Sequence, residues 1–134
     1  MRKTAVVFVL VSLILTACTP VCSETPGSPR LVTAIEASFD GDTITLHRQY
    51  TSSEKLRAVL DYIRCLEIYG TPESDTGIPA SNCGKIVITF SDGTTKTYEQ
   101  RGDQFLRQNN GSWHYINMEQ AQEFPLLLAM MESD

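Results

Sequence analysis

Positive charge is scarce in this chain. Eleven Lys and Arg stand against sixteen Asp and Glu among 134 residues, a formal net charge of −5. A nucleic-acid surface needs clustered cations to displace phosphate counterions, so nucleic acid is excluded as a partner. Histidine is as scarce, with only His47 and His114. Neither stands in an HExxH or CxxC-type spacing, and no P-loop, GxGxxG or GxSxG elbow occurs. The short Asp40-Gly41-Asp42 run lacks the further ligands of a calcium loop. No metal, no cofactor and no catalytic residue is therefore expected. Long apolar runs are also missing. The longest, Ala5 to Leu15, is broken only by Ser12 and reaches roughly 16 Å as a helix, about half of a hydrocarbon core.

What is present at the N-terminus is an export pattern. Arg2 and Lys3 precede that short apolar run, as in a secretory signal peptide. Leu15-Thr16-Ala17-Cys18 then resembles the lipobox of bacterial lipoproteins: a branched apolar residue, two small residues and a cysteine. The resemblance covers residues 1–18 alone. It implies removal of residues 1–17, a diacylglyceryl group on Cys18 Sγ, and an acylated (palmitate-type) N-terminus holding the protein on a membrane. Each buried CH₂ of those chains contributes about 0.8 kcal/mol. It also implies an extracytoplasmic place in a bacterial cell envelope. In a Gram-negative host that place is the outer membrane, since Thr19 is not the aspartate that retains lipoproteins on the inner one.

Without Arg2 and Lys3 nine basic residues remain against sixteen acidic ones, so residues 18–134 carry −7. An anionic headgroup layer repels such a surface, which leaves the lipid as the anchor. Residues 18–30 hold three of the six prolines and only one large apolar residue, Val21. They read as a tether with a root-mean-square span on the order of 20 Å.

Residues 31–134 read as one α+β domain. Leu31, Thr33, Ile35, Ala37 and Phe39 alternate as a strand, Asp40-Gly41 reverses the chain, and Thr43 to Arg48 alternates again with Ile44 and Leu46 facing inward. Thr51 and Glu54 suggest a capping box for a helix from about Ser52 to Tyr69, stopped by Gly70 and Pro72. Its apolar stripe is Leu56, Val59, Leu60, Ile63 and Leu66. A loop over 71–83 follows. Cys65 and Cys83 bracket it and are expected to pair, closing a loop worth roughly 3 kcal/mol. Cys22 is left over in the tether.

From Lys85 onward the signals are strands. Ser91-Asp92-Gly93-Thr94 suggests a type I′ hairpin, Arg101-Gly102-Asp103 a corner, and Gln108-Asn109-Asn110-Gly111 another reversal at Asn-Gly. Integrin-binding loops share the Arg-Gly-Asp triplet, but three residues are too few to set against a turn. Asn117 caps a last helix with apolar Ala121, Phe124, Leu128 and Met131, which Pro125 should either kink or, if the first turn is separate, begin as its regular portion.

The order β-β-α-β-β-β-β-α gives an antiparallel sheet with both helices on one face, a two-layer sandwich. The other face is then open, and Tyr98, Trp113 and Tyr115 are its candidate binding residues. The resulting expectation is a non-catalytic interaction module, displayed on the cell envelope, for a protein, peptide or glycan. The competing expectation is a small extracytoplasmic enzyme, hydrolase-like or thiol-dependent, in which a histidine approaches a cysteine or serine.

Overall fold

A computed structural model describes residues Arg30–Asp134. Cys18, Cys22, the signal segment and nearly all of the tether lie outside the described residues.

The elements are β1 (Val32–Asp40), β2 (Thr45–Tyr50), α1 (Ser53–Cys65), β3 (Ile68–Gly70), a 3₁₀ turn (Asp75–Gly77), β4 (Cys83–Phe90), β5 (Thr95–Arg101), β6 (Phe105–Gln108), β7 (His114–Ile116) and α2 (Met118–Met130). They make the expected α+β arrangement. All seven strands form one antiparallel sheet in the order β2-β1-β4-β5-β6-β7-β3. Both helices pack on one face, where Ile35, Ala37, Phe39, Ile86, Ile88, Leu106 and Ile116 of the sheet meet Leu56, Val59 and Tyr62 of α1 and Ala121, Phe124 and Leu128 of α2. Phe124 is the hub: its ring stacks on Tyr62 at 5.3 Å and meets Phe39 edge-on at 6.3 Å. Gly84 makes room for it, because a Cβ there would lie 2.9 Å from the Phe124 ring.

Local chemistry explains the turns. At Arg101-Gly102-Asp103-Gln104 both central residues have φ +58°, and Gln104 N–H donates to the Arg101 carbonyl at 3.2 Å, so the triplet is a type I′ hairpin turn. The β6–β7 reversal is another, but positive φ falls on Asn109 and Asn110 rather than on Asn-Gly. After β4 only Gly93 has positive φ; Gly93 N–H donates to the Phe90 carbonyl and Phe90 N–H to the Thr94 carbonyl. That is a three-residue loop, a type I turn closed by a glycine bulge, instead of the expected type I′ turn.

Several expectations are corrected. The first helix ends at Cys65 rather than Tyr69, because residues 68–70 pair with β7 as an edge strand instead. Ile44 remains 43% exposed in the β1–β2 turn, and the inward positions of β2 are Leu46, Arg48 and Tyr50. Arg48 serves the end of α2: its Nε donates to the Leu128 and Met131 carbonyls at 3.0 and 3.1 Å, and Tyr50 Oη donates to Met131 O at 2.6 Å. The capping box is not formed. Ser52 is the N-cap without a side-chain cap bond, and Asp134 supplies the cap from the other end of the domain. One Asp134 oxygen accepts from Thr51 N–H at 2.6 Å and Ser52 N–H at 2.8 Å. The tail also covers the β2 edge, through Ser133 Oγ on Gln49 N–H and Asp134 N–H on the Gln49 carbonyl.

Cys65 and Cys83 are not bonded to one another. Cys65 is exposed at the end of α1, where its carbonyl accepts from Gln120 beside β7. Cys83 opens β4, three strands across the sheet, and its thiol donates to the Ala80 carbonyl at 3.2 Å. One thiol thus sits at a helix end and the other is hydrogen-bonded within its own loop, on different layers of the sandwich.

Asn117 caps α2 as expected, its Oδ1 accepting Gln120 N–H at 3.0 Å. Helical hydrogen bonding continues through Pro125. A proline at this position cannot donate to the Ala121 carbonyl. Gln100, only 4% exposed, does so instead: its Nε2 donates to Ala121 O at 3.0 Å while its Oε1 accepts Tyr62 Oη at 2.6 Å. One buried amide thus satisfies both helices and the sheet at once. Burial raises the Tyr62 pKa above its ordinary value, against the lowering effect of the Gln100 hydrogen bond.

Candidate functional site

The sheet face away from the helices is polar over β2, β1 and β4, where Glu36, Ser38, His47, Gln49 and Lys85 stand. It changes character over β5, β6 and β7. Ladder register puts Glu99 beside Arg107 and, in the next row, Arg101 beside Phe105 and Phe105 beside Tyr115. Trp113, just before β7, completes the first row.

Two arginines cover that tryptophan. Their guanidinium carbons lie 4.6 Å (Arg107) and 5.4 Å (Arg101) from the indole centroid. Both Glu99 oxygens accept from Arg107 Nη2 at 3.1 Å, and Arg101 Nη2 is 3.8 Å from one of them. Arg107 Nε is buried without a hydrogen-bond partner among the described residues; the group that carries it lies on the indole instead. Trp113 is consequently only 5% exposed. Its indole is buried under the two guanidinium groups.

Tyr115 is the exposed ring of this face. It is 42% exposed, and its ring sits 5.2 Å from Phe105 at a tilt of 39°. Facing the pair is the loop that follows β3. Together they enclose an open groove of about 530 Å³, with Phe105 and Tyr115 on one side and Thr71, Pro72, Glu73 and Ile78 on the other. The loop is held near the β5–β6 turn, where Gly102 N–H donates to the Ser81 carbonyl at 3.0 Å. A Cβ on Gly102 would collide with Pro79 at 2.2 Å, so a glycine fits here twice over.

Of the three candidate binding residues, the structure brings Trp113 and Tyr115 onto the open face and leaves Tyr98 off it. Tyr98 pairs with Ile86 on the helix-covered face, packs against the core and carries Lys96 Nζ 5.4 Å from its ring centre. The parity of β5 is the reason. Gln100 points to the core, so Tyr98 does too, and Glu99 and Arg101 point outward. Sequence reasoning missed the groove residues Phe105, Glu73 and Ile78. The alternation through Phe105, Arg107 and the turn was the available signal for Phe105; nothing local marks the loop.

The histidines have other partners. His47 Nε2 lies 2.9 Å from Glu36 Oε1 on the polar part of the open face. His114, opposite the core residue Leu106 in the ladder, has its Nδ1 3.2 Å from Oγ1 of Thr71, a residue that lines the groove. Neither contact involves a cysteine or serine. Among the described residues no group of three His, Cys, Asp or Glu side chains is placed to hold a metal ion. No described helix is long and apolar enough to cross a membrane. Comparisons with protein-family models, curated proteins and solved structures found no match to this chain.

Proposed function

We propose that this protein is a small binding module of a bacterial cell envelope, held on the membrane by lipid on Cys18 and engaging its partner through the open sheet face. The observation that carries the binding half is the aromatic corner: an exposed Tyr115 tilted against Phe105 at a groove, beside the arginine-covered Trp113. An exposed apolar ring beside a concave, partly polar wall is the ordinary anatomy of a recognition site. The anchor half rests on the lipobox-like Leu15-Thr16-Ala17-Cys18 and the proline-rich segment after it. In this reading the module is non-catalytic, needs no cofactor and takes an envelope protein, peptide or glycan. In a Gram-negative host it works at the outer membrane.

Site-specific photo-crosslinking in intact cells tests the binding half. A photoreactive residue at position 115 should yield a discrete crosslinked species, and the same residue at position 130, on the helix layer, should not. Crosslinking at 130 with none at 115 would overturn the reading.

One contact favours a second reading, a hydrolase-like enzyme: Thr71, which lines the groove, has its Oγ1 3.2 Å from His114 Nδ1. No carboxylate or carbonyl partner is described on the other imidazole nitrogen to orient it as a base. A groove-dependent hydrolysis lost in Thr71→Val and in His114→Gln would establish that reading.

A further inference from the structure

We infer that the groove beside Tyr115 takes a basic segment of a partner polypeptide, with a lysine or arginine side chain laid across the Tyr115 and Phe105 rings toward Glu73. The inference rests on reading the open face as a binding surface, and it names the chemistry of the occupant. Three observations select a cation. The groove is lined by two aromatic rings and one carboxylate, and by no lysine or arginine. An ammonium or guanidinium group is drawn to the ring face, and Pro72 and Ile78 offer apolar cover for the methylenes behind it. Glu73, the carboxylate of the lining, is exposed and makes no ion pair with a described residue, so its charge is open to a partner.

Two further acids stand in the turns next to the groove loop. Asp75 belongs to the 3₁₀ turn whose Gly77 lines the groove, and Asp103 sits in the β5–β6 turn that packs on the loop at Pro79. Arg101 is the one cation next to Phe105 in the ladder, and it is turned to Trp113 and Glu99. Beyond the site, the charge of −7 over residues 18–134 steers cationic segments inward and anionic ones away.

Titration of the full chain in a non-ionic detergent with hexalysine and hexaglutamate, at low and at high salt, tests this. Hexalysine should bind and weaken with salt; hexaglutamate should not bind. Combining Glu73→Gln with Tyr115→Leu, which keeps apolar cover over Phe105, should weaken hexalysine on the order of tenfold. Glu36→Gln, an acid elsewhere on the same face, should bind as the parent does. Circular dichroism of each variant checks that the fold is retained. Absent hexalysine binding, a double variant within twofold of the parent, or an equal loss in Glu36→Gln each overturns the inference. If crosslinking at position 115 still captures a partner in that case, the open face remains the binding surface and only the cationic occupant is wrong. Crosslinks confined to the helix layer would remove the surface itself, whatever hexalysine does.

Discussion

Gln100→Leu is the most informative single change in the core. The side chain is 4% exposed and joins Tyr62 Oη at 2.6 Å to the Ala121 carbonyl at 3.0 Å. Leucine fills a similar volume but offers neither donor nor acceptor. Two buried polar groups then lose their partners, at about 1–3 kcal/mol each. Burying leucine returns up to about 2 kcal/mol. With central values, two losses of about 2 kcal/mol against a return of about 2 leave a net loss of about 2 kcal/mol, a fall in Tm on the order of 10 °C for a domain of about a hundred residues. Denaturant melts followed by circular dichroism measure it. Pro125→Ala supplies the sharper comparison, since it restores the helical N–H that the Ala121 carbonyl lacks. It should stabilise the Gln100→Leu protein by about 1 kcal/mol more than it stabilises the parent. A loss below about 0.5 kcal/mol, or an equal effect of Pro125→Ala in both backgrounds, would refute the role given to Gln100.

Other expectations follow from the same contacts. Hydrogen bonds from Ser52 and Thr51 N–H, then Lys55, hold the Asp134 carboxyl well below its ordinary pKa. Its contribution is therefore complete above the usual carboxylate range and is lost as pH falls through and below it, so Asp134→Asn should flatten the acid limb of a Tm–pH profile. If the two profiles are parallel below pH 4, the cross-domain cap is not what stabilises α1. Tyr62, raised by burial, stays protonated in the folded domain above pH 10, where the unfolded chain ionises; stability should fall with rising pH there, and Tyr62→Phe should make that fall shallower. Phenolate absorbance recorded alongside the melts would show whether Tyr62 ionises before unfolding instead. Gly102→Ala places a Cβ at φ +58° and 2.2 Å from Pro79, and should cost at least about 2 kcal/mol in a denaturant melt. An unchanged midpoint would mean that the loop over the groove is not packed on this turn.

The two-layer architecture was legible because local chemistry and burial agree along most of the chain. Ile35, Ala37 and Phe39 alternate into the core, Asn117 caps the helix it precedes, and Arg101-Gly102-Asp103 turns where a turn was expected. What escaped depends on tertiary context. Leu66 ends α1 in an extended conformation, with no glycine to announce it, because the next residues find β7. The cap of α1 comes from Asp134, about eighty residues away in sequence, and no local pattern encodes such a contact. Polar-rich β5 conceals its own parity: with Gln100 rather than an apolar residue pointing inward, Tyr98 looked like a surface aromatic and is a core neighbour. Tyr115 was found because one exposed tyrosine on a strand is visible from sequence; the loop that makes a groove against it is not.

The proposed binding at an envelope requires the domain to leave the cytosol and stay on a membrane, and in that proposal the anchor is lipid on the sulfur of Cys18. Intact-mass analysis of the chain recovered from membrane and soluble fractions tests it directly. The result predicted is a membrane-bound chain beginning at Cys18 with a diacylglyceryl thioether and an acylated amine. A soluble cytosolic chain beginning at Met1, with no fatty modification, would contradict it.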